Sequence, residues 1–401
     1  MKKNRWWILA ALFALILIGV PGVSGQDSSE NDLLRLLHFV PDTPETRAWL
    51  TFGDLATWHT SWNVPRIDNV EQLEALDRDP YAYWVFIMPT QTMPPDVLGA
   101  QYLLSDDIRA IYGFDLFNMD RFLYAGEPPD DISVVEFSFD GTQIANALTT
   151  TGYEAVPLET GGTLYQILGD YETDLPGSTG LPRLGMLGRL NRIALLDGQM
   201  VIGRATAPVT NSLATQQGTV PSLADDPAYI AAANAMEDWS MLGDLTGAAL
   251  ISGAQFPDAY SVGLDIGPLP LKEVRDTLLA QYQADPLPHF DVALFSTRHA
   301  PGATYLGLVL VFPPGTDAEA AAHTLANRLQ TYTSLLSGES FAERWVLESD
   351  SHAAINGLPV AMVTMRVDDP EPAPPGDRAN TAILGWANML YRRDMAFLFA
   401  E

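Results

Sequence analysis

The sequence contains no cysteine. That excludes disulfides, thiolate zinc sites, a thiol nucleophile and a lipid-modified N-terminal cysteine. The fold is left to burial and backbone pairing. Positive charge is nearly as scarce. Basic residues number 22 against 50 acidic ones, for a formal net charge of −28, and the lysines are Lys2, Lys3 and Lys272 alone. Such a surface repels phosphate backbones and anionic lipid, so no nucleic acid is expected as a partner. Cations and basic protein patches suit it better.

Motifs of common chemistries are missing too. Neither G-x-x-x-x-G-K-[ST] nor G-x-G-x-x-G occurs, so nothing is built to cradle a nucleotide phosphate. There is no G-x-S-x-G elbow, and an S-x-x-K pair fails at Lys272 because Leu269 occupies the serine position. The six histidines, His38, His59, His289, His299, His323 and His352, never fall at the H-x-x-x-H spacing that sets two imidazoles on one helix face. They read as unremarkable histidines rather than ligands, with His323 a surface or boundary residue of a helix and His289 and His299 flanking one strand. No catalytic, cofactor-binding or metal-binding residue is assigned, no cofactor is expected, and the reading leans against an enzyme.

Long apolar runs are lacking after the first. That first run is Trp6 to Val20, preceded by Lys2, Lys3 and Arg5 and broken by Pro21 and Gly22, with the small pair Val23 and Gly25 ahead of Gln26. It falls short of the roughly 20 residues of a spanning helix. Basic, apolar, breaker and small residues in that order read as a secretory signal peptide. An uncleaved N-terminal anchor is the alternative, and with it the one route to membrane contact. In either case the rest of the chain is expected outside the cytoplasm, secreted or at the cell envelope. A later apolar stretch, Thr381 to Ala400, is interrupted by Arg392, Arg393 and Asp394 and does not span a bilayer.

What is present is a core-forming composition, 47% hydrophobic and 10% aromatic, and an internal repeat. Arg121 to Phe139 reads as strand, turn and strand, and so does His289 to Phe312. A helix follows each, over Gly141 to Thr151 and over Asp317 to Leu336. Two short strands come next: Tyr153 to Leu158 with Thr163 to Leu168, and Arg344 to Glu348 with Val360 to Val367 around Asn356-Gly357. An acidic, proline-bearing loop ends each series, at Asp170 to Pro182 and at Asp368 to Asp377. Hairpins are expected last, over Asn191 to Arg204 with its Asp197-Gly198 turn, and over Asn388 to Glu401. Upstream, Ala48 to Phe52 and Ala248 to Ser252 match as leading strands.

The chain is therefore expected to be α+β, with two related halves that are each mainly antiparallel sheet under a covering helix. One continuous sheet across both halves is the alternative. The divisions are residues 1–25 as signal peptide, 26–46 as polar tether and short helix, 47–209 as the first half, 210–246 as a helical bridge and 247–401 as the second half.

Three features are candidates for function. Asp170, Glu172 and Asp174 alternate as the start of a calcium loop does, but Leu175 and Leu181 stand where an EF-hand needs glycine and glutamate. Asp368, Asp369 and Glu371, and the turn residues Asp130 and Asp131, read as solvated or turn-forming acids. Trp49, Trp58, Trp62, Tyr81, Tyr83 and Trp84 are dense enough to suit sugar or peptide binding if exposed, and read first as core.

Gly113-Phe114-Asp115, Asp120, Ala125-Gly126, Pro128-Pro129, Phe139-Asp140, Gly152-Tyr153 and the Asp197-Gly198 hairpin ending in Gly203, with Val40-Pro41-Asp42-Thr43-Pro44 upstream, resemble a group of uncharacterised secreted proteins and lipoproteins of actinobacterial and Chloroflexi-type bacteria. The resemblance implies no activity and no site residues, and the chain lacks the cysteine of the lipoprotein members. The expected function is that of an exported, non-enzymatic protein binding or scaffolding an envelope protein or polymer. The rivals are a carboxylate-dependent hydrolase of an envelope polymer, which needs a cleft between the halves, and a calcium-dependent adhesion or structural module.

Overall fold

The computed structural model describes residues 31–61, 66–69, 71–72, 75, 108–138, 140–159, 161–173, 188–255, 280, 282, 285–334, 338–368, 381–391 and 394–400. Twelve strands form one antiparallel sheet: β1 (Leu50–Asp54), β2 (Met119–Ala125), β3 (Ile132–Phe137), β4 (Glu154–Pro157), β5 (Thr163–Gln166), β6 (Arg192–Leu195), β7 (Gln199–Gly203), β8 (Asp244–Ser252), β9 (Val292–Ala300), β10 (Ala303–Val311), β11 (Val346–Ile355) and β12 (Leu358–Asp368). Their order across the sheet is β11-β12-β10-β9-β8-β1-β2-β3-β7-β6-β5-β4. The protein is α+β, and its sheet is continuous.

The two leading strands lie side by side at the middle, paired from Leu50↔Leu250 to Gly53↔Gly247. Outward from that seam each side carries a hairpin first, β2–β3 on one and β9–β10 on the other. Beyond it the sides differ. The β6–β7 hairpin stands between β3 and β5, whereas β12 joins β10 directly.

Helices cover both faces, where the sequence suggested a cover on one. The near-continuous apolar runs of β8, β9 and β10 have the physical signature of strands buried on both sides. Ala249, Ile251, Phe295, Leu308 and Leu310 face one core with helices α5 (Gly141–Thr151), α8 (Ala318–Thr331) and α9 (Thr381–Tyr391). Ala248, Leu250, Leu294, Val309 and Val311 face the other, with α1 (Asp32–Leu37), α6 (Thr206–Gln216) and α7 (Pro227–Ala235). Short helices α2 (Pro44–Ala48), α3 (Leu55–Ser61) and α4 (Ile108–Tyr112) complete the set among the described residues.

Local chemistry sets the ends. Asp140 accepts from Thr142 N at 2.8 Å to open α5, and Gly152, at φ 104°, closes it. Asp317 caps α8 through Ala320 N at 3.1 Å, and Asp226 caps α7 just before Pro227. The expected closing hairpin over residues 388–401 is not formed. Thr381–Tyr391 is a helix, because Ala382, Trp386, Met389 and Leu390 fall on one buried face at helical spacing. The chain then runs through a 3₁₀ turn, Ala396–Leu398, to a single parallel bridge between Ala400 and Leu287.

Candidate functional site

A cluster of titratable groups lies on the face beneath α1. Strand register builds it: Asp54 on β1 is opposite Arg121 on β2, Arg121 opposite Glu136 on β3, and Glu136 opposite Gln199 on β7. One lateral row thus alternates acid, base, acid and amide. Asp32 and Arg35, one helical turn apart on α1, close over it.

Arg121 Nε donates to Asp54 Oδ2 at 2.7 Å and lies 3.2 Å from Asp32 Oδ2. Arg35 grips Glu136 with both terminal nitrogens, Nη2 donating to Oε2 at 2.8 Å, and also donates to Asp32 Oδ1 at 2.8 Å. Gln199 Nε2 donates to Glu136 Oε1 at 2.7 Å. The second oxygen of Asp54 accepts from Thr57 N at 2.8 Å, starting α3.

Burial alone would raise the Glu136 carboxyl. The hydrogen bonds from Arg35 and Gln199, with the charges of Arg35 and Arg121, outweigh it and hold the group below its usual value. For Arg121 burial is again the largest influence and disfavours the charge, but the field of Asp54, Asp32 and Glu136 prevails and raises its pKa. The cluster is closed, with acids and bases answering one another. Its evident work is to tie α1 to the sheet.

A depressed carboxyl contributes stability that is present above its unfolded pKa of about 4.5 and is lost as pH falls through the lower folded value. Glu136→Gln is therefore expected to cost about 1–3 kcal/mol at neutral pH and to flatten the decline of melting temperature between pH 5 and pH 3. A variant with the wild-type acid profile would remove Glu136 from this account.

The other acids are similarly engaged. Asp170 Oδ1 accepts from Thr206 N at 2.9 Å, from Thr206 Oγ1 at 3.0 Å and from Arg192 Nη2 at 2.7 Å. It thus accepts from the first turn of α6 and pairs with Arg192. Glu172 Oε2 accepts from Gly169 N at 2.8 Å, and Asp174, Leu175 and Leu181 lie outside the described residues. Asp130 accepts from Tyr171 Oη at 2.6 Å, and buried Asp131 pairs with Arg204 Nε at 3.0 Å. Asp368 lies 3.5 Å from Arg366, while Asp369 and Glu371 are outside the described residues. Among the described residues no group of three or more His, Asp or Glu side chains is arranged to hold a metal ion.

Trp58 is core and Trp49 packs on it; Trp62, Tyr81, Tyr83, Trp84, Leu269 and Lys272 are outside the described residues. His59 stacks edge-on against Trp58, at 4.9 Å between centroids. His323 on α8 bonds to Asp350 on β11 through Nδ1, and His352 lies 4.0 Å from Glu319.

His299 lies on β9 and is buried. It is 6% exposed, and burial pushes its pKa down to about 4 against the pull of Asp244. A base with a folded value below its unfolded 6.5 contributes stability above pH 6.5 that is lost as pH falls toward 4. Acidification across that window is expected to cost about 3 kcal/mol, and His299→Gln to suppress that part of the pH dependence in denaturant melts. Equal slopes for the two proteins would contradict it.

One residue of the break in the last apolar stretch is a buried carboxylate. Asp394 is fully buried, bonded to the Tyr332 hydroxyl and, at 2.7 Å, to the Ser334 hydroxyl. Burial and then the Asp394 charge raise the Tyr332 hydroxyl far above its usual pKa. The partners are about sixty positions apart, and no local pattern announces them.

No family model matches the chain, and no curated protein sequence matches it. Solved structures similar to it include two crystal forms of TP0453. Crystal form III of TP0453 gives a TM-score of 0.35 at 7% identity, covering 87% of this chain and 97% of that one. Crystal form I of TP0453 gives 0.32 at 7% identity, covering 89% and 98%.

Proposed function

We propose that the chain is an exported, non-enzymatic protein that binds or scaffolds a partner at the cell envelope, built from a duplicated sheet-and-helix unit. The observation that carries the reading is the seam. A hydrolase made of two halves needs its cleft there, but β1 and β8 meet in a hydrogen-bonded ladder from Leu50↔Leu250 to Gly53↔Gly247. The charged row beside that seam is closed by Arg35 and Arg121, which suits a structural tie better than a reactive centre. The Lys2-Lys3-Arg5, Trp6–Val20 and Pro21-Gly22 sequence supports export, and no helix among the described residues is long and apolar enough to cross a membrane.

The test is fractionation of cells expressing the tagged full chain, with intact-mass measurement of the product and crosslinking in the envelope fraction. Mature protein beginning at Gln26, or full chain held at the membrane, crosslinked to a discrete partner, is the expected result. Retention in the cytoplasm would defeat the export half of the reading. Turnover of an envelope polymer that disappears in an Asp→Asn variant would defeat the non-enzymatic half.

A further inference from the structure

The two edges of the sheet are unlike. β4 has four residues and ends in Pro157, which cannot donate to another strand. β11 has ten, Val346–Ile355, and among the described residues its neighbour is β12 alone.

The β11–β12 turn fixes which peptide groups that edge presents. Asn356 and Gly357 have φ of 51° and 81°, as a two-residue type I′ turn requires, so Ile355 and Leu358 bond to one another. The Pro359 carbonyl, one residue on, accepts from Phe312 N at 2.9 Å on the β10 side, which sets the phase of β12. Alternation then turns Ser351 and Ala353 toward β12, and aims the N–H and C=O groups of Asp350, His352 and Ala354 out of the sheet.

We propose that this edge pairs with the same edge of a second copy, antiparallel about a two-fold axis at Ser351, to join two twelve-stranded sheets. The sequence is self-complementary in that register. With Ser351 opposite Ser351, Asp350 of each copy lies beside His352 of the other, and both residues present outward peptide groups, so each pair makes two backbone bonds. Moving the axis to Asp350 sets acid against acid, and moving it to His352 sets imidazole against imidazole. The bulge between Leu347 and Ser349 ends the ladder beyond Asp350. Together with Glu348, that bulge discourages strands of other sequence. The inference is independent of the envelope reading, since a monomer could be exported and bind a partner equally well.

Residues 26–401 contain every described element, so the test uses that chain. Light scattering from micromolar to millimolar concentration is expected to show a rise to twice the monomer mass. His352→Pro removes one outward N–H and leaves the bonds to β12 in place; it is expected to hold the monomer mass with unchanged circular dichroism. Asp350→Lys alone is expected to weaken the dimer at least tenfold, and adding His352→Glu to restore it, because the symmetric register brings those two positions together twice. A monomer mass throughout overturns the proposal. So does a dimer that survives His352→Pro, or one that the paired exchange fails to restore.

Discussion

Gly307→Val is expected to destabilise the protein by about 3 kcal/mol. Gly307 sits in the middle of β10, between Ser296 on β9 and Thr364 on β12. A Cβ there would stand 2.8 Å from Trp239 Cε3, and closer still to Cζ3 and to Ser296 Oγ. The indole therefore lies flush on the strand backbone. It is not free to withdraw. Trp239 rides on the 3₁₀ segment Glu237–Leu242, and buried Arg298 holds both ends of that segment, donating to Met236 O at 2.6 Å and to Gly243 O at 2.8 Å. Denaturant melts should show an intermediate loss for Gly307→Ala and partial recovery of Gly307→Val in a Trp239→Leu background, since shortening the indole makes room. A valine variant that melts with the wild type would mean that the indole does not press on this strand.

The contact between Trp239 and Gly307 shows where sequence reading stops. The hairpins at β2–β3, β9–β10, β6–β7 and β11–β12 were legible because turn chemistry at Pro128-Pro129, Pro301-Gly302, Asp197-Gly198 and Asn356-Gly357 separates runs of strand formers, although β11 runs on to Ile355, past Glu348 where the sequence suggests a short strand ending. Helices α5 and α8 were legible because alanines and leucines at helical spacing follow each of the two leading hairpins. What those signals lack is long-range order. Nothing local says that β12 pairs with β10, or that β6–β7 slips between β3 and β5. The last helix was misread for a related reason. The strongly apolar stretch that includes Ala382, Trp386, Met389 and Leu390 masks its own period, and the polar Arg392-Arg393-Asp394 break in it reads equally well as a turn between strands.

The candidate site was less legible than the fold. Asp54, Arg121, Glu136 and Gln199 are far apart in sequence and become a row only through strand register. Among 50 acidic residues, nothing local marks Asp54 or Glu136. The alternating acids Asp170 and Glu172 did stand out, and the structure gives both a backbone donor. Spacing alone cannot separate a cation loop from acids that accept backbone N–H groups, because each wants oxygens in a turn.

Arg328→Met is expected to cost about 3–4 kcal/mol, the sum of several backbone acceptors left dry. Arg328 is a buried residue of α8, 4% exposed. It donates to Phe397 O at 3.1 Å, to Phe399 O at 2.6 Å and to Asp285 O at 2.7 Å, and its guanidinium lies 4.1 Å over the Tyr282 ring. Burial pushes its pKa down to about 10, which still leaves it charged at neutral pH. Methionine fills the space of the stem but satisfies none of the three carbonyls. The buried run Met395–Ala400 then loses its main polar tie while keeping its apolar contacts. The loss should accordingly appear first as local opening: limited proteolysis is expected to clip the C-terminal residues of Arg328→Met before the sheet unfolds. Arg328→Lys should recover less than half of the stability, because a single ammonium does not reproduce a planar fork that spans three acceptors. A methionine variant as stable and as protease-resistant as the wild type would show that packing of Phe397, Leu398 and Phe399 alone holds the chain end in place.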